Sequence, residues 1–140
     1  MHGIGLWLPE LIAPTIRVKD LAEAGYLDFD LEDLLDLLGN PASNSIWKCQ
    51  VDEVTSKDLP VNLVTAFNSS EHDGRTLMRL AAITRQVIDG KFEGRDCHSQ
   101  TPWICLTAVD SSYWEVWASN ESCFEPLKKR FSHIENDDDF

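Results

Sequence analysis

Cys97 and His98 are the side chains in this sequence with the most obvious chemical use, because a thiol beside an imidazole can be activated as a nucleophile or donate to a metal. Neighbours on an extended chain point to opposite sides, so the pair is not expected to share one ion. Cys49, Cys105 and Cys123 complete no zinc spacing, and His72 and His133 lack a second ligand at i+3 or i+4. No metal and no cofactor is therefore expected. Ser111 and Ser112 have no GxSxG elbow before them, and Glu115 with Asp110 is too common a carboxylate pair to specify acid–base work. Gly3, Gly5, Gly90 and Gly94 build neither GxGxxG nor GxxxxGK[ST]. The expectation is a protein that is not an enzyme. The alternative is a small enzyme using Cys97, His98 or His72.

A stronger signal is charge. Asp28, Asp30, Glu32, Asp33 and Asp36 place five carboxylates within nine residues, with no basic residue among them. If Leu31, Leu34, Leu35 and Leu38 face a core at helical spacing, Glu32, Asp33 and Asp36 stand on the outer side. Asp33 and Asp36 are i,i+3 neighbours that repel by a few tenths of a kcal/mol, roughly, an effect partly offset by the helix N-terminus. Such a surface suits a basic partner through electrostatic steering; it equally suits a solvated face with a good N-cap. Tyr113, Glu115 and Trp117 form a second candidate surface, joined by Trp7, since Trp and Tyr dominate binding hot spots. Burial of those aromatics is the competing reading.

The whole chain carries 24 acidic and 12 basic side chains, a net charge of −12. Phosphate neutralisation needs clustered Lys and Arg, so direct nucleic-acid binding is not expected, nor is association with anionic membranes. Its 140 residues suit one domain with a packed core, here expected over 1–140 with a frayed acidic tail at about 135–140. The first residues lack a basic flank and a long apolar segment, so a cytoplasmic location is expected, with Cys49, Cys105 and Cys123, which sit in apolar patterns, reduced and structural.

Positioning these groups requires regular elements. A helix is expected over 31–38, capped by Asp30 and ended by Gly39-Asn40-Pro41. A shorter helical turn is expected at 19–24, ended by Gly25. Strands are expected over 46–54 and 61–68, then a polar loop at 68–74 and a long helix at 75–89 stopped by Gly90. A hairpin follows, 103–109 and 113–118 around a turn at Asp110-Ser111-Ser112, and a last helix near 122–131 with Pro126 in its first turn. The order α-α-β-β-α-β-β-α predicts an α+β fold, an antiparallel sheet of four or more strands with helices packed on one face.

In size, charge, the acidic stretch 28–36 and the aromatic strand 113–118, the chain resembles the small acidic immunity proteins of bacterial toxin systems. That resemblance implies a toxin inhibitor: a single α+β domain whose partner is the basic active-site surface of a toxin domain. The element order is also similar to that of the dimeric acidic chaperones of type III secretion, which would make this chain an effector chaperone. Five Trp and polar loops at 68–74 and 93–101 fit a compact inhibitor better. Monomer and dimer both remain open.

Overall fold

Alternating burial along residues 46–51, with Trp47, Cys49 and Val51 inward and Lys48 and Gln50 outward, starts the longest pairing in the molecule. The computed structural model describes residues 15–22, 25, 27–57 and 62–136. In chain order these form β1 (Thr15–Val18), α1 (Leu31–Leu38), α2 (Asn40–Ser43), β2 (Ile46–Ser56), α3 (Leu63–Asn68), β3 (His72–Asp73) and α4 (Gly74–Ala82). There follow β4 (Thr84–Arg95), β5 (Ile104–Val109), β6 (Tyr113–Ala118), a 3-10 turn at Glu121–Phe124, α5 (Glu125–Arg130) and β7 (Ile134–Asn136). The seven strands make one antiparallel sheet in the order β3-β2-β4-β5-β6-β1-β7. The fold is α+β, as the element pattern predicts. No helix among the described residues is long and apolar enough to cross a membrane.

Register puts one apolar row across the middle of the sheet. Ile16 pairs with Val116, Val116 with Leu106, Leu106 with Phe92 and Phe92 with Cys49. These side chains share a core cluster with Leu31, Leu34, Leu35 and Leu38 of α1, Leu63 and Phe67 of α3, Leu77 of α4 and Leu127 of α5. Close approach sets two glycines. A Cβ on Gly94 would lie 2.9 Å from the Trp47 indole and 2.8 Å from Ile104. One on Gly74 would collide with the Ala42 carbonyl oxygen, so α4 begins pressed on α2.

Several elements differ from the sequence expectation, each for a physical reason. The segment expected as a strand over 61–68 is helical from Leu63: Leu63 and Phe67 are buried at a spacing of four, and the Asn62 side chain accepts the Thr65 N–H at 3.1 Å. Its apolar residues satisfied both periods, and the cap decides. Asn68 at its end acts as a strand partner, accepting the Val51 N–H and donating to the Val51 carbonyl, both at 2.8 Å. The helix expected over 75–89 stops at Ala82. Thr84 Oγ1 donates to the Leu80 carbonyl at 2.8 Å, and the chain turns into the twelve-residue β4. Thr84, Val87 and Ile88 are β-branched, and pairing along β2, with three register shifts, outweighs their helical spacing. Gly90 sits inside that strand rather than at a helix end.

At the N-terminal side, the expected helical turn at 19–24 is replaced by an antiparallel bridge between Leu21 and Leu27, with Gly25 at φ 91°; residues 23, 24 and 26 lie outside the described residues. Glu135 and Asn136, expected in a frayed tail, pair with β1, and Glu135 meets Lys19 at 3.0 Å. His72 and Asp73, expected in a loop, bridge to the start of β2, and Gly94 and Arg95 extend β4 into the second expected loop. The hairpin turn forms where expected: Val109 pairs with Tyr113 across Asp110-Ser111-Ser112, Asp110 and Ser111 take φ 48° and 60°, and the Ser112 N–H donates to the Val109 carbonyl at 2.8 Å.

Candidate functional site

The acidic segment and the aromatic strand do not form one surface. The apolar side of α1 joins the core face of the sheet. Tyr113, Glu115 and Trp117 alternate with Trp114, Val116 and Ala118 along β6, so they stand on the opposite face. Trp117 is 6% exposed there. Tyr113 is half-buried beneath two cations, Arg17 at 4.8 Å and Lys19 at 5.5 Å from its ring centre. Glu115 pairs with Arg17 at 3.5 Å. Glu115 and the Tyr113 ring are thus answered within the chain. Trp7 lies outside the described residues.

On the helix side, Asp28, Asp30, Glu32 and Asp33 line one wall of an open cavity of about 840 Å³; Lys57, Thr84, Arg85 and Gln86 line the other. Local sequence explains the wall. Asp30 precedes α1 in extended backbone, and the Asp33 carboxylate accepts the Asp30 N–H at 2.9 Å, fixing the first turn. The Asp30 carboxylate itself is turned toward the sheet, accepting the Val87 N–H at 3.1 and 3.3 Å. Burial pushes its pKa up to about 7; the N–H groups of Val87 and Leu31 oppose this, Asp33 adds to it and Lys57 lowers it.

The remaining carboxylates differ in how they are engaged. Asp28 and Asp36 are exposed. Glu32 meets Lys57 at 3.7 Å, with both side chains close to half exposed, so solvent screens the pair and a competing cation can displace it. Arg85 donates to the Lys57 carbonyl at 2.8 Å, holding the end of β2 opposite the acidic wall. Asp36 lies one turn further along the same side of α1, beside a second cavity of about 200 Å³ lined also by Gly39, Asn40 and Met78.

Sequence reasoning missed Lys57 and Arg85, which reach the mouth only because β2 and β4 pair antiparallel over their full length. It also missed Asp20. That buried carboxylate accepts N–H groups from Ser132 at 2.9 Å and His133 at 2.7 Å, tying the segment after β1 to the one before β7. Nothing local marks it, because its partners are more than a hundred positions away.

Candidate nucleophiles divide by environment. Burial raises the Cys49 thiol to about 12 and Cys105 to about 11, which keeps both protonated and unreactive at neutral pH. His72 Nε2 is bound to the Phe67 carbonyl at 2.9 Å. Cys97 and His98 are exposed, in the turn after β4. Compared with protein-family models, curated proteins and solved structures, the chain finds no match.

Proposed function

We propose that this chain is an acidic protein-binding module, not an enzyme, and that it takes a basic surface of its partner at the mouth between α1 and the start of β4. The observation that carries this reading is the cavity itself: four carboxylates on one wall, faced by a lysine held only in a screened pair. An incoming Arg or Lys can take over Glu32 from Lys57 while Asp28 and Asp33 draw it in from solvent. The resemblance to immunity proteins makes a toxin domain with a basic active-site cleft the partner of choice, and inhibition by covering that cleft the mode of action.

The test is co-expression with basic nuclease-type toxins from the same genome, followed by titration calorimetry at low and high salt with the one that is neutralised. Affinity should fall steeply with salt, and Asp28→Lys combined with Glu32→Lys should weaken it by about two orders of magnitude, as for paired interface charges. Unchanged affinity in that variant, with its fold intact by circular dichroism, removes the mouth as the interface.

A further inference from the structure

The turn that follows β4 gathers three donors of different chemistry. Asp96, Cys97 and His98 are consecutive, and an extended chain would send the last two to opposite sides. The chain instead bends as it leaves Arg95. A carboxylate oxygen, the thiol sulfur and an imidazole nitrogen come within 4.8 Å of one another, all three residues exposed.

The bend is held by other groups. Asp96 Oδ1 accepts the His98 N–H at 2.9 Å and the Asp96 carbonyl accepts the Ser99 N–H at 2.9 Å. Arg95 donates to the Ser99 carbonyl at 3.4 Å and is itself fixed by Glu71 at 2.8 Å. Ser99 Oγ donates to the Thr101 carbonyl at 3.1 Å. Among the described residues no hydrogen bond to the Cys97 sulfur or the His98 ring is part of this framework. The second Asp96 oxygen, the sulfur and the imidazole can therefore turn to a ligand without dismantling the turn.

We propose that Asp96, Cys97 and His98 form a surface site for a zinc-class divalent ion. Tetrahedral bonds of about 2.0–2.3 Å place donor atoms roughly 3.3–3.8 Å apart. From 4.8 Å that spacing is reached by side-chain rotation of about 1 Å, well within the freedom of exposed rotamers. One sulfur, one nitrogen and one oxygen select a borderline ion over calcium or magnesium, which want oxygen alone. Binding releases the thiol proton to solvent, and water or a group from another molecule completes the fourth position. The site stands at the far end of β4 from the acidic mouth, roughly 35 Å along the strand at 3.3 Å per residue, so it is independent of partner binding there.

The experiment is titration of the reduced, chelator-treated full chain with Co²⁺, followed by displacement with Zn²⁺. A saturable near-ultraviolet thiolate-to-cobalt band at one ion per chain is expected, in the micromolar range. Cys97→Ser should abolish the band, and His98→Ala and Asp96→Asn should each weaken binding about tenfold or more. Cys123→Ser should leave it unchanged. A band that survives in Cys97→Ser, or one that fails to saturate below millimolar Co²⁺ in the wild-type chain, overturns the site.

Discussion

The mouth beside α1 and the face around β6 both bring charges and polar groups together, yet they differ in what answers them. On β6, Glu115 has Arg17, Tyr113 has two cations over its ring, and Trp117 is buried. At the mouth, Asp28 is exposed and Glu32 holds only a screened lysine. A hot-spot composition is thus a poor guide where neighbouring strands supply the complement, and a carboxylate run is a better one where they do not. Within the mouth the same contrast recurs: Asp30 serves the backbone of β4, while Asp28 faces solvent.

The comparison breaks first at Trp117. If it is structural, Trp117→Ala should cost about 3–5 kcal/mol in urea unfolding, as large-to-small changes at buried aromatics do. A loss of partner affinity at unchanged stability would return β6 to the list of binding surfaces. Asp30→Ala should cost less, about 1–3 kcal/mol, from an abandoned Val87 N–H and a weakened helix start. Asp30→Asn, which keeps an acceptor for Val87, should recover most of that loss in the same assay.

Acidity then separates the two roles of Asp30. Its folded pKa of about 7 stands above the ordinary carboxylate value of 3.8, so the folded state holds the proton more tightly. Its contribution to stability is fully present below pH 3.8 and is lost as pH rises through about 7. Binding has the opposite sign: a cationic partner favours the ionised form, so affinity should rise between pH 6 and pH 8. Calorimetry and thermal melts across that range should show both trends in the wild-type chain and neither in Asp30→Asn. The smallest effect belongs to the compensated face. Glu115→Gln should change stability by about 0.5 kcal/mol or less, since the Arg17 pair is partly exposed. A larger loss in a double-mutant cycle with Arg17→Ala would show that pair to be structural.

Much of the scaffold could be read from local order. Asp30 before Leu31, Leu34, Leu35 and Leu38 specifies α1 and its buried side; Trp47, Cys49 and Val51 specify the start of β2; Asp110-Ser111 specifies the hairpin. Where one stretch satisfied two periods, at Leu63–Phe67 and Thr84–Ile88, the outcome rested on a cap and on a strand partner far along the chain. The candidate site divides in the same way. Sequence alone determined that residues 28–36 concentrate uncompensated negative charge, because charge density is a local property. Only the tertiary structure decided that Asp30 turns inward, that Lys57 and Arg85 face the acidic wall, and that Trp117 lies buried across the sheet. It also decided that a turn draws Asp96, Cys97 and His98 together. Each depends on strand register and on backbone direction at one bend, and neither is carried by the residues that it positions.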